Sequence, residues 1–213
     1  MKRRQPQNQK NDPGDTETTK LRIIGGSLGG QVVTYSGDPR TRPMKNRVRE
    51  AMFNLVGPWV KETYTLDLFA GTGAVAFESL SRGSVGALLV EKHFPTVHLI
   101  NENVRHLNLE AVTQVVAGDA FHWVEHRMAD EFAPPQDVPW SLFFCPPYSF
   151  FVDRKQEMLD MMHTLTQRAP VGSHVIVEFD KQFDPQNLPQ PELWDVRAYA
   201  PAILAVKRGT RPE

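Results

Sequence analysis

Cysteine is nearly missing from this 213-residue chain: Cys145 stands alone, so no intramolecular disulfide can form. That scarcity fits a reducing compartment, and a cytoplasmic location is expected. No stretch of about 18 apolar residues occurs, so no membrane-spanning helix is predicted. The start, Met1-Lys2-Arg3-Arg4-Gln5, is basic but has no apolar run behind it, which excludes a secretory signal as its reading. The seven histidines are scattered and share no metal-ligand spacing with the cysteine, so no metal is expected. No internal repeat is visible. What remains is an ordinary globular composition, 40% hydrophobic and 23% charged, long enough for one domain with an appendage and expected to be monomeric.

The formal charge of -1 conceals an asymmetry. Residues 1–49 hold eleven Lys and Arg against four acids, a net +7, which leaves -8 on the remainder. A basic head on an acidic body points to a polyanionic partner at one end; a solvated helix face would look the same from charge alone. Residues 1–20 have no apolar periodicity and are expected to be disordered. Residues 21–24 and 31–34 read as two short strands joined by a glycine-rich turn. Residues 44–56 carry Val48, Met52, Leu55 and Val56 at helical spacing, with Lys45, Arg47 and Arg49 assigned to the opposite face.

From residue 63 strands and helices alternate. Strands are predicted at 65–69, 87–90, 113–117, 141–144 and 174–179, and helices at 74–81, 96–107, 121–128 and 154–167. A hairpin of 194–199 and 203–207 closes the chain. Such alternation predicts an α/β fold with a doubly wound, mostly parallel, seven-stranded sheet, preceded by an N-terminal hairpin and helix. The division expected is a tail at 1–20, a basic extension at 21–60 and a cofactor-binding domain at 61–210.

The strongest local signal is Leu66-Asp67-Leu68-Phe69-Ala70-Gly71-Thr72-Gly73. A buried strand runs into two glycines and then a helix, so a ligand can approach the backbone at the carboxyl end of the sheet. A dinucleotide site prefers a third glycine, and Ala76 occupies that place; this alone leaves NAD open. Glu91 ends the second strand, where a carboxylate can accept from both hydroxyls of a ribose. Asp119 follows the third strand in Gly118-Asp119-Ala120, where it can accept from an adenine amine or simply cap the next helix. Two acids at the ends of consecutive strands describe a pocket for an adenosine-containing cofactor.

The fourth strand ends in Phe144-Cys145-Pro146-Pro147-Tyr148. Two prolines make a rigid corner and leave carbonyls facing the crevice, with the flat ring of Tyr148 beside them. Such a corner suits a planar base removed from its stack, and its acceptors can orient an exocyclic amine for attack. A strand-ending turn with a buried tyrosine is the plainer alternative.

These features together resemble the class I amino-methyltransferases with a D/N-P-P-Y/F motif. The front of the chain, with Leu21-Arg22-Ile23-Ile24-Gly25-Gly26, Thr41-Arg42-Pro43 and residues 47–54, resembles the bacterial ribosomal RNA small-subunit methyltransferase D family. The likeness covers residues 21–208. It implies methyl transfer from S-adenosylmethionine to N2 of a guanine in 16S ribosomal RNA, with ribosomal RNA or the small subunit as partner. Gly71, Gly73, Glu91 and Asp119 would hold the cofactor, with Asp67 near its methionine end and Phe69 and Ala120 alongside. Cys145, Pro146, Pro147 and Tyr148 would form the catalytic corner. Arg22, Arg42, Arg47 and Arg49 would meet RNA.

One position departs from that family. Its motif starts with Asp or Asn, an acceptor for the target amine, and Cys145 stands there instead. A thiol accepts weakly. Loss of one such contact at a reacting centre lowers rates by on the order of 100-fold. Three outcomes stay open: a slower enzyme, an enzyme with another acceptor nearby, or an RNA-binding assembly factor that keeps only the pocket. N6 of adenine is an alternative target, and a nucleotide-dependent oxidoreductase is a third class.

Overall fold

The computed structural model describes residues 19–38, 41, 43–128 and 133–209. Most of the expected tail and Arg42 lie outside them. Thr19 and Lys20, placed in that tail by the sequence, belong to the first strand.

The chain begins with an antiparallel pair, β1 (Thr19–Arg22) and β2 (Val32–Tyr35), in which Leu21 faces Val33. Helix α1 (Asn46–Val56) follows. Then come β3 (Tyr64–Asp67), α2 (Ala74–Ser81), β4 (Gly86–Glu91), α3 (Phe94–His106) and β5 (Thr113–Ala117). A short α4 (Ala120–His122) continues as a π-helical turn, Trp123–Arg127, where the sequence predicts one regular helix. The second half contains β6 (Trp140–Phe144), α5 (Phe150–Asp153), α6 (Lys155–Arg168), β7 (His174–Asp180), β8 (Asp195–Tyr199) and β9 (Ala202–Lys207).

Seven strands form one sheet in the order β5-β4-β3-β6-β7-β9-β8. Strands β3 to β7 are parallel, and β9 enters antiparallel between β7 and β8. The central strands read as unbroken apolar runs, Trp140-Ser141-Leu142-Phe143-Phe144 being buried throughout, because both faces are covered. Alternation along them sorts the two layers. Leu142, Phe144, Val175 and Val177 meet Met158, Met162 and Leu165 of α6 on one side. On the other, Phe143 and Ile176 meet Met52 and Phe53 of α1, while Ala87 and Leu89 meet the α2, α3 and hairpin cluster.

The strand order reverses between β3 and β6. That is the place where an open parallel sheet forms its ligand crevice, outside the carboxyl ends of the strands. The N-terminal hairpin is fastened beside it. Asn103 of α3 binds both backbone groups of Thr34, accepting from its N–H at 2.9 Å and donating to its carbonyl at 2.7 Å. The Glu78 carboxylate of α2 accepts from the N–H groups of Ile24 (2.7 Å) and Gly25 (2.9 Å). This second contact explains why the first strand ends earlier than the sequence predicts. The amides of Ile24 and Gly25 go to a carboxylate, not to a neighbouring strand.

Candidate functional site

The loop after β3 is shaped by two glycines in the left-handed region, Gly71 at φ 51° and Gly73 at φ 75°. For Gly73 a side chain is also excluded by space, since an added Cβ would lie 2.7 Å from the Phe77 ring. Gly71 has room around it, so its need is conformational. Its N–H donates to Glu91 Oε2 at 2.8 Å, and the His93 N–H donates to Oε1 at 2.8 Å. Glu91 is thus fixed at the end of β4 with one lone pair per oxygen left for a ligand. The front of the chain adds a wall: buried Thr41 shares a 3.1 Å hydrogen bond with Thr96, and its methyl lies over Gly71.

Asp67 ends β3 beneath this loop and is 1% exposed. Neither carboxylate oxygen has a hydrogen bond of ordinary geometry among the described residues. Burial pushes its pKa up to about 7; the Ala76 amide opposes the rise, the Glu91 charge adds to it and the Phe69 amide opposes it. A buried acid approached only by backbone amides, with no cationic side chain on it among the described residues, suits a cationic group that arrives with a ligand.

Asp119 serves as the helix cap that the sequence left open: its Oδ1 accepts from the N–H groups of Phe121 (3.0 Å) and His122 (3.3 Å). Its other oxygen lies 3.8 Å from Arg154. Phe69, Phe121 and Phe150 form an aromatic triangle with centroids 5.9–6.0 Å apart, and the Arg154 guanidinium sits 3.7 Å over Phe121. Ala120, buried, starts α4 beside them. This apolar wall next to Asp119 fits one face of a flat ring. Sequence reading named Phe69 but not Phe121, Phe150 or Arg154, whose meeting with Phe69 joins three separate segments.

The corner after β6 lies across the switch from this pocket. Pro146 is buried and Pro147 exposed. The Pro147 carbonyl accepts from the Phe150 N–H at 2.9 Å, and no hydrogen bond reaches the Pro146 carbonyl among the described residues. Cys145 is a partly buried free thiol. Burial pushes its pKa well up, with Glu178 and Asp67 raising it further, so a neutral thiol stands there. The Tyr148 hydroxyl donates to Glu178 Oε1 at 2.7 Å. Sequence reading missed Glu178; the signal was a single acid inside the apolar strand Val175-Ile176-Val177-Glu178-Phe179.

The arginines divide. Arg22 and Arg47 are exposed, donating one N–H each to the carbonyls of Gly30 and Ala200. Arg49, expected to meet RNA, is 0% exposed. It lies in the stripe Arg49-Met52-Phe53-Val56 that α1 presses onto the sheet, donates to the Arg22 carbonyl at 2.6 Å and stands 3.6 Å from Glu78. A guanidinium without surface does not reach a phosphate, so Arg49 is corrected to an internal strut.

The strand order, the glycine loop below Glu91 and the proline corner across the switch define a Rossmann-like fold of the class I methyltransferase type. A solved RNA methyltransferase of Salinibacter ruber in complex with S-adenosyl-L-homocysteine shares it, with a TM-score of 0.54 at 15% identity over 81% of this chain and 97% of that one. The chain belongs to the family described as Conserved hypothetical protein 95, whose model matches residues 21–201. The resemblance read from the sequence is borne out at the level of relatives. Ribosomal RNA small subunit methyltransferase D of Escherichia coli (strain K12) is 40% identical over 135 residues, covering 63% of this chain and 63% of that protein. A hypothetical protein of Thermus thermophilus matches in structure with a TM-score of 0.67 at 26% identity, over 88% of this chain and 98% of that one.

Proposed function

We propose that the protein transfers a methyl group from S-adenosylmethionine to the N2 amine of a guanine in 16S ribosomal RNA. The observation that carries this reading is the juxtaposition at the β3/β6 switch. The buried Asp67, which no side chain hydrogen-bonds among the described residues, lies on one side, and a proline corner whose Pro146 carbonyl receives no hydrogen bond among them lies on the other. The residues fit the cofactor. Glu91 offers acceptors to a ribose, the Phe121 wall and Asp119 suit adenine, and Asp67 suits the ammonium of the methionine end. When bound, the cofactor supplies an electrophilic methyl on a sulfonium. Pro146 would orient the amine through its carbonyl, and Tyr148 would support the base. Residues 61–210 perform the transfer, and residues 21–60 present Arg22 and Arg47 to the RNA.

The test is nucleoside mass spectrometry of 16S ribosomal RNA from cells with and without this gene. Loss of one N2-methylguanosine per molecule, restored by the gene, is the expected result. An unchanged N2-methylguanosine content sinks the reading, and loss of an N6-methyladenosine moves it to adenine. A second reading, an RNA-binding assembly factor with weakened catalysis, is favoured by the thiol at Cys145. A large gain in rate on Cys145→Asn would support it.

For the basic face, Arg22→Ala and Arg47→Ala are each expected to lower the slope of log K against log[salt] by about 1, because each guanidinium neutralises one phosphate. Filter binding across about 50–200 mM salt reads this directly, and equal slopes for variant and wild type remove the arginine from the interface.

A further inference from the structure

We propose that Glu178 is the side chain that accepts the target amine's hydrogen, doing here what an Asp or Asn at position 145 does in chains with the D/N-P-P-Y/F motif. The inference rests on the methyltransferase reading above. Parallel register sets Phe144 against Val177, so the next pair along, Cys145 and Glu178, stand side by side at the mouth of the sheet. Glu178 is 8% exposed, and its charge acts on the Cys145 thiol. Its Oε1 holds the Tyr148 hydroxyl, whereas Oε2 receives no hydrogen bond among the described residues. Burial raises the pKa of Glu178, which makes it a stronger acceptor once ionised, and the Tyr148 hydroxyl opposes that rise.

Beside the Pro146 carbonyl the chemistry needs one side-chain acceptor, not two. A neutral thiol at position 145 adds no charge between Asp67 and Glu178, where a third carboxylate would repel both. The Tyr148 contact ties the carboxylate to the ring that supports the base, so amine and ring are positioned by one linked pair. The amine lone pair forms the N–C bond as the S–C pair is left on sulfur. The nitrogen thereby becomes acidic, and its proton passes to Glu178 and on to water. Atoms and charges balance with the sulfonium methyl donor as co-substrate.

The test compares Glu178→Met, Glu178→Gln and Glu178→Met with Cys145→Asn. Calorimetry with S-adenosylhomocysteine serves as the check that each pocket is intact. Single-turnover methylation of small subunits from the gene-deleted strain should fall about 100-fold in Glu178→Met, as for loss of one strong polar contact to a reacting group. Glu178→Gln keeps an acceptor oxygen and should stay within about tenfold of wild type. Cys145→Asn should return at least about tenfold of what Glu178→Met loses, because the amide restores an acceptor at the neighbouring position. A binding readout accompanies these. The protein loaded with S-adenosylhomocysteine should prefer guanosine monophosphate to inosine monophosphate, which lacks the amine, and Glu178→Met should erase the preference by NMR titration. Glu178→Thr carries the same expectations should the methionine variant not fold. Glu178→Met within threefold of wild type, equal losses in Met and Gln, or no recovery with Cys145→Asn overturns the role of Glu178 while leaving the methyltransferase reading intact. A wild-type chain that binds S-adenosylhomocysteine but methylates nothing brings down both.

Discussion

Asp67→Asn is expected to make the ligand-free protein more stable at pH 8, by about 2 kcal/mol, while it weakens cofactor binding. The carboxyl sits at 1% exposure with no ordinary hydrogen bond, and its pKa is pushed from 3.8 up to about 7. A carboxyl whose pKa is raised by folding favours the fold when protonated. Its contribution is therefore full below about pH 4 and is lost as pH rises from about 4 to 7. Above that window the ionised group opposes folding by about 1.4 kcal/mol for each unit of the shift, some of which the unpaired amide of asparagine forfeits. Wild type should gain stability on acidification from pH 8 to 5, and the variant should lack that slope. On the proposed reading, the ammonium of S-adenosylhomocysteine should reverse the balance. It favours ionised Asp67, so binding to wild type should release a proton below pH 7 and tighten about tenfold from pH 6 to 8. The asparagine variant should bind about 30-fold or more weakly at pH 8, with the gap closing toward pH 6, since it offers no charge to pair. Urea unfolding and calorimetry in two buffers measure both halves. A variant equal to wild type in stability and affinity removes Asp67 from the site.

The parts of this site that were legible in the sequence are those whose signal is local. A strand running into Gly71 and Gly73 needs left-handed backbone at fixed positions, and only a few residue types supply it. Glu91 and Asp119 follow from counting strand ends, and Cys145-Pro146-Pro147-Tyr148 from proline geometry. The sheet was legible for the same reason, because uninterrupted apolar strands separated by amphipathic helices leave few topologies. What the sequence concealed depends on distant partners. Glu178 became visible only when register placed it beside Cys145, 33 residues earlier. Arg154 and Phe121 meet over Asp119 from different segments. Arg49 was assigned to solvent because arginine is seldom buried and because the apolar stripe was counted through Val48, Met52, Leu55 and Val56. Phe53, left out of that count, shifts the buried stripe by one residue and carries Arg49 inward with it.

That buried arginine leads to the other large expected effect: Glu78→Ala should destabilise the fold by about 3–5 kcal/mol, and adding Arg49→Met should make it more stable again. Both side chains are fully buried, with Arg49 Nε 3.6 Å from Glu78 Oε2. Glu78 also binds Arg82 and the N–H groups of Ile24 and Gly25. Alanine at position 78 strands a buried guanidinium and two backbone donors together. Burial already lowers the pKa of Arg49 against the pull of Glu78, so Glu78 is the neighbour whose charge offsets that of the guanidinium. Methionine at position 49 in the wild-type background removes the expensive charge and leaves Glu78 with Arg82 and both amides. Its loss is expected to be about 1–2 kcal/mol, chiefly the contact to the Arg22 carbonyl. In the double variant no fully buried charge is stranded, since Arg82, which also loses Glu78, keeps 23% exposure, so stability should recover by about 1–2 kcal/mol relative to Glu78→Ala alone. Simple additivity in urea unfolding would show that the pair is not coupled. The same junction has a functional consequence. Glu78 joins β1 and its turn to the helix that starts at Gly73, and Arg49 ties α1 to the same strand. Loosening it should expose the chain near Arg22 to trypsin, shift Thr41 away from Gly71 and lower RNA and cofactor affinity together, although both Glu78 and Arg49 are buried away from the surface proposed for either ligand.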